Sequence, residues 1–255
     1  MTLEQTVDDQ GTVEARVDGS CLRITLQRAR RHNALSLKLI NELLEVLREA
    51  ASMTQIRSVV IGGEGRSFCA GMDLMAAGED PEAMAGMLHN LALVMTAIRA
   101  LPVPVIARVQ GAAIGGGCGL MTVSDLVVSH PEAKLGYPEV DFGICPAVVA
   151  PCLANRIGAG RARALLLSGG LITGQRGHEI GLVNTLVEAD RLDETVEDLI
   201  ERFQRGGREA LTATKRWINT VENPNLDAQF LEGAALSSKI LSGDEAQERL
   251  ARLKG

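Results

Sequence analysis

The 255-residue sequence predicts a mixed α/β (α+β) fold: a stack of small β-β-α units followed by a helical C-terminal region. Two observations carry this. Short apolar runs bounded by turn residues alternate with longer segments of helical period, and beyond about Leu186 the strand signal stops while four helical segments follow. No sequence repeat is visible. Hydrophobic residues make up 46%, ample for a core, but aromatic residues are only 2%, so Leu, Val, Ile, Ala and Met must fill it. A boundary is expected near Ala189, dividing residues 1–189 from a helical region, 190–255. That region has several apolar faces and few partners of its own, which points to oligomerisation.

Residues 12–17 and 21–26 read as two strands joined by Asp18-Gly19, a hairpin turn pair. A basic connector, Gln27-Arg-Ala-Arg-Arg-His-Asn33, follows. Ser36 can cap a helix whose apolar positions Ile40, Leu43, Leu44, Leu47, Ala50 and Ala51 keep the helical period. Residues 56–61 read as a buried strand ended by Gly62-Gly-Glu-Gly65, and residues 81–100 as a helix broken by Pro102-Val-Pro104. Strand, turn and helix recur over 104–124, 126–130 and 147–158. The C-terminal helices are expected at 192–203, 208–221, 228–241 and 244–253.

The net charge of −6 argues against nucleic-acid binding and against a basic footing on a membrane. The five cysteines (Cys21, Cys69, Cys118, Cys145, Cys152) are odd in number and show neither C-x-x-C nor a Cys/His spacing for a metal. Free thiols in a reducing compartment are expected, and no metal. The acidic N-terminus lacks an apolar signal region, so a cytoplasmic location is expected.

Three stretches carry chemistry. Val109-Gln-Gly-Ala-Ala-Ile-Gly-Gly-Gly-Cys-Gly-Leu120 joins a strand to a helix. Consecutive glycines there serve either tight helix-on-sheet packing or an oxygen that must approach bare helix-terminal N–H groups. The full G-x-G-x-x-G is absent and no G-K-[ST] follows, so neither a dinucleotide fingerprint nor a P-loop is present. Gly65-Arg-Ser-Phe-Cys-Ala-Gly-Met-Asp-Leu74 reads as a loop after a strand. In Tyr137-Pro-Glu-Val-Asp-Phe-Gly-Ile-Cys-Pro146, Glu139 lies among apolar neighbours, where desolvation would raise its pKa toward that of a general base.

Taken together these stretches resemble the crotonase, or enoyl-CoA hydratase/isomerase, superfamily. Arg28-x-x-x-His-Asn-Ala-Leu35 is similar to its N-R-P-x-x-x-N-A-L, and Ser67-Phe-Cys-Ala-Gly-Met-Asp-Leu74 to its F-C/S-A-G-x-D-L. The glycine run resembles its G-x-x-x-G-G-G-x-x-L. Residues 134–146 resemble its F-x-x-P-E-x-x-x-G-x-x-P, and Gly181-Leu-Val183 its G-L-V. The match spans about residues 20–250.

The resemblance implies a spiral of β-β-α turns, homotrimers that often pair into hexamers, and an acyl-CoA thioester substrate whose coenzyme A makes a separate cofactor unnecessary. It assigns the oxyanion-binding N–H groups to Met72 and Gly116 and the acid/base to Glu139. It places the coenzyme A contacts at Arg28, Arg30, Arg31, His32, Ala34, Ala70, Gly71, Asp73, Leu74, Gly115 and Pro138, with the Ala70 carbonyl toward adenine. Lys215 and Arg216 are expected to add to a neighbouring subunit's site. The soft wall of the acyl pocket is expected from Met75, Ala76, Met84 and Met87. Cys69 and Cys118 are expected to be packing residues.

One departure matters. Family hydratases with two glutamates carry G-G-G-x-E, and here that position is Gly119. Ala147 also replaces the aspartate of dienoyl-CoA isomerases and aryl-CoA dehalogenases. The pattern is most similar to hydratases of branched or glutaconyl-type thioesters. Hydration is therefore the leading expectation, with double-bond isomerisation by the same residues, or acyl-CoA binding without turnover, as alternatives.

Overall fold

The computed structural model describes residues 10–73 and 81–254. Strands β1 (Thr12–Asp18) and β2 (Cys21–Gln27) form an antiparallel hairpin with Asp18 opposite Cys21, so two residues make the turn and Gly19 takes a φ of 59°. A short 3-10 turn (Ala29–Arg31) leads into α1 (Leu37–Ser52), whose first turn is capped by Ser36 Oγ accepting from Leu39 N–H at 3.1 Å.

Next come β3 (Ser58–Gly63), α2 (Pro81–Ala100), β4 (Val105–Val109), β5 (Ala113–Ile114), α3 (Gly116–Val123), β6 (Leu126–Ser129) and β7 (Lys134–Gly136). A 3-10 turn (Pro138–Phe142) precedes α4 (Ala150–Ile157), α5 (Ala159–Ser168), β8 (Leu171–Thr173), α6 (Gly174–Glu179) and β9 (Thr185–Leu186). Four helices complete the chain: α7 (Leu192–Arg205), α8 (Arg208–Glu222), α9 (Leu226–Leu241) and α10 (Asp244–Lys254).

The larger sheet has the order β1-β2-β3-β4-β6-β9, parallel from β2 onward, and the smaller one β5-β7-β8. Parallel strands must be covered on both faces, which explains the apolar runs Val59-Val-Ile61 of β3 and Val105-Ile-Ala107 of β4. Leu22, Ile24, Leu26, Val59, Ile61, Val105 and Ala107 point to the main core, shared with α1, α2, α3 and α9. Their alternates Cys21, Val60, Ile106 and Val128 pack instead against Leu192, Val196 and Ile200 of α7.

Helix α2 passes by length and hydropathy for a membrane span, yet it lies against α1, α3 and α9. A helix enclosed on several sides can be apolar nearly all round. The helical C-terminal region has partners within the chain, contrary to the sequence expectation. Leu226, Phe230, Ala234 and Leu241 of α9 belong to the main core, and a Cβ on Gly233 would overlap the Ala147 carbonyl.

Candidate active site

The site begins at a parallel bridge between Leu35 and Met72. Leu35 N–H donates to the Gly71 carbonyl at 2.7 Å, and Asp73 N–H to the Leu35 carbonyl at 2.9 Å. Strand alternation therefore turns the Met72 N–H to the other side, away from Leu35. Gly71 has φ 88°, and a Cβ there would stand 2.7 Å from the Ile114 carbonyl oxygen and 3.5 Å from Gly116 N. Only glycine lets these two backbones meet.

Gly116 is the first residue of α3, so its N–H has no carbonyl within the helix to bind. Each glycine of the run touches something different. A Cβ on Gly115 would lie 3.0 Å from Glu139 Oε1, one on Gly116 3.0 Å from Leu91 Cδ2, and one on Gly117 would overlap the Cys69 carbonyl. The close-packing reading of the run is realised, and on the other side Glu139 lies against Gly115, whose own N–H donates to the Gly136 carbonyl at 2.8 Å, next to the helix-terminal Gly116.

Glu139 is held on the 3-10 turn that Pro138 opens and Gly143, at φ 73°, closes. Ile144 N–H donates to the Glu139 carbonyl at 2.9 Å. Tyr137, fully buried, ties this turn to α3 through a 2.7 Å hydrogen bond between its hydroxyl and Thr122 Oγ1. The Glu139 Oε2 atom is buried without a hydrogen-bond partner. Burial pushes the carboxyl up from 4.5 to about 7, against a smaller opposing hydrogen bond from its own backbone.

Ala70, Gly71, Met72, Gly115, Gly116, Pro138 and Glu139 all line one cavity of about 670 Å³. Its remaining described walls are Leu88 and Leu91 of α2, Ile114 of β5, Phe142, Ile144, Cys145, Pro146, Val148, Val149 and Ser237 of α9. At Gly119 a Cβ would meet Val149 Cγ1 at 2.5 Å, so the space where α3 could project a second side chain is filled by a valine methyl. Ser237 Oγ donates to the Cys145 carbonyl at 2.7 Å and accepts from Ala147 N–H at 3.2 Å. Two outward-facing amides and one proton-exchanging acid can stabilise an enolate while moving a proton.

Several expected contacts are placed elsewhere. The Arg28 side chain is 3% exposed, pairs with Asp73 at 2.8 Å and donates to the Ala34 carbonyl at 2.8 Å. A buried guanidinium needs such partners, so Arg28, Ala34 and Asp73 brace the loop that carries Met72 rather than offering a face to phosphate. Arg30, Arg31 and His32 are exposed on the adjoining turn. His32, at φ 52°, places Nδ1 3.0 Å from Ser67 Oγ and Nε2 3.5 Å from an Arg66 Nη2. Arg66 extends this basic patch and was missed, because one arginine between glycine and serine carries no pattern.

Ala70 N–H is held by the His32 carbonyl at 3.0 Å. Lys215 is buried, with Nζ 2.7 Å from Asp125 Oδ2 and 3.2 Å from each of the Ile98 and Val103 carbonyls, so it cannot reach a neighbouring subunit. Arg216 is exposed.

Met84 and Met87 are packed in the core, and it is Leu88 and Leu91 of the same helix that line the cavity. Leu74, Met75 and Ala76 lie outside the described residues. Cys69 and Cys118 are fully buried, their thiols pushed up to about 12 by desolvation, as packing residues would be. Ser237 was missed because it stands about ninety positions from the loop it secures, inside an otherwise apolar helix face.

A family model described as enoyl-CoA hydratase/isomerase matches residues 16–254. The chain is 32% identical to the 2,3-dehydroadipyl-CoA hydratase of Escherichia coli, with 90% of each chain covered. It is 31% identical to that organism's 1,2-epoxyphenylacetyl-CoA isomerase, with 84% of each covered. The crystal structure of an enoyl-CoA hydratase/isomerase from Mycobacterium paratuberculosis superposes with a TM-score of 0.88 at 25% identity, covering 96% of this chain and 100% of that one. The chain therefore has the crotonase fold and belongs to the enoyl-CoA hydratase/isomerase family, the crotonase superfamily.

Proposed function

We propose that the protein is an acyl-CoA lyase of the enoyl-CoA hydratase type. The observation that carries this reading is the placement of one desolvated acid, Glu139, against Gly115, on the cavity that Gly116 and Met72 also line. In the proposed reaction the Met72 and Gly116 N–H groups receive the thioester oxygen as it gains charge. Each such donor is worth roughly 2.7–4 kcal/mol in a transition state. Glu139 takes a proton from water as oxygen bonds to Cβ, and returns one to Cα. Substrate carries its own coenzyme A, and Arg30, Arg31, His32 and Arg66 form the basic patch suited to its phosphates.

The methyl of Val149 at Gly119 favours a second reading, because no second acid stands there to hold a water. In that reading Glu139 moves a proton between Cα and Cγ, converting a 3-enoyl to a 2-enoyl thioester. Purified protein assayed with 2-enoyl-CoA and 3-enoyl-CoA separates the two, and absence of hydration refutes the first. Glu139→Gln should lower turnover by about 10²–10⁴-fold, and near-normal turnover would show that another group is the base.

Exposed Trp217, Ile218 and Val221 on α8, with Leu236 and Ile240 on α9, support assembly of copies as a homotrimer or a hexamer.

A further inference from the structure

We propose that the cavity selects an uncharged acyl group and rejects one that ends in a carboxylate. This deepens the thioester reading above and rests on it. The walls beyond the acid are Leu88, Leu91, Phe142, Ile144, Val148 and Val149. Among the described lining residues the polar side chains are Glu139, Cys145 and Ser237. None of them carries a positive charge to pair with an incoming anion.

The Ser237 hydroxyl gives its proton to the Cys145 carbonyl and receives the Ala147 N–H. The Cys145 thiol is raised by desolvation and stays neutral. Glu139 carries negative charge in its ionised form, with Oε2 already lacking a partner, so a second carboxylate would face a like charge instead of a counter-ion.

Among the described residues, nearby positions that could have supplied a cation do not. Gly119 has no side chain, and its Cβ position is filled by Val149. Arg249, which lies against Gly143, donates to Asp141 O at 3.3 Å and pairs with Glu245 at 3.2 Å. An ionised carboxylate stripped of water without a partner is strongly disfavoured, whereas an apolar chain of equal size gains from the same burial.

Calorimetric binding of three saturated, unreactive thioesters to the wild-type protein tests this: hexanoyl-CoA, glutaryl-CoA and the ω-methyl ester of glutaryl-CoA. Hexanoyl and glutaryl groups match in length and differ in terminal charge, and the ester restores neutrality at slightly greater size. Glutaryl-CoA is expected to bind at least about 100-fold more weakly than hexanoyl-CoA, with the ester within about 10-fold of hexanoyl-CoA.

Glutaryl-CoA within a few-fold of hexanoyl-CoA overturns the proposal and leaves the thioester reading standing. An ester as weak as glutaryl-CoA also overturns it, since size and not charge would then decide. Failure of all three to bind removes the thioester reading and this proposal with it.

Discussion

Replacing Glu139 by Gln should make the protein more stable at pH 8 than the wild type by a margin that shrinks as the pH falls. The carboxyl has a pKa of about 7 when folded, against an ordinary 4.5. The folded state thus holds the proton more tightly than the unfolded chain. Stability from this group is fully present below pH 4.5 and is lost as pH rises to about 7, because above that the folded protein must keep a desolvated anion. At 1.36 kcal/mol per pH unit the whole loss is about 3 kcal/mol.

Between pH 5 and pH 8 the portion lost is about 2.5 kcal/mol. Glutamine has no charge to desolvate and does not lose it. Any fixed penalty from its amide is the same at both pH values and cancels in the comparison. Urea unfolding of wild type and Glu139→Gln at pH 5 and pH 8 gives the four free energies. A Gln-minus-Glu difference that is unchanged between them refutes the claim that burial, rather than a compensating partner, sets the state of this acid.

Two further predictions concern packing. Gly119→Ala puts a Cβ 2.5 Å from Val149 Cγ1 and should cost about 1–3 kcal/mol, while Val149→Ala in the same chain should recover at least about 0.5 kcal/mol relative to the sum of the single changes. Strict additivity in urea unfolding would show that the two positions do not compete for space. Arg28→Ala removes the buried guanidinium that pairs with the part-buried Asp73 carboxylate and should cost about 3–5 kcal/mol by thermal unfolding. Unchanged stability with a raised KM for the thioester would instead return Arg28 to the role of a surface phosphate ligand.

Much of the framework was legible. The Asp18-Gly19 turn, the Ser36 cap and the Pro81–Ala100 helix each have a local physical cause, and the structure forms all three. The two- and three-residue strands β5, β7, β8 and β9 were not legible, because so few residues cannot establish a period of two. Burial of charge was the other failure. Arg28 and Arg30 stand two residues apart in one basic run, yet the first points inward to Asp73 and the second is exposed.

Nothing local distinguishes those two arginines; the partner lies forty-five positions away. Lys215 posed the same problem, its Asp125 being ninety positions distant. Asp141 and Glu139 stand two positions apart on one 3-10 turn and reach different partners: Asp141 Oδ2 accepts from Gly170 N–H at 2.9 Å, while Glu139 Oε1 lies against Gly115.

The way the site is built explains why the glycine run was informative while the acyl wall was not. The donors proposed at Met72 and Gly116 are main-chain groups, so what must be encoded is permission for close approach. Permission is written locally, as glycine at 71 and at 115–117. The wall is written in residues from α2, the Phe142–Val149 segment and α9, which have nothing in common except their meeting place. Backbone donors are also chemically alike in every acyl-CoA site that uses them. Discrimination among acyl groups must therefore reside in the wall and in the single acid, which is why Val149 and the absence of a cation in the described lining bear on substrate while the glycines bear on reaction type.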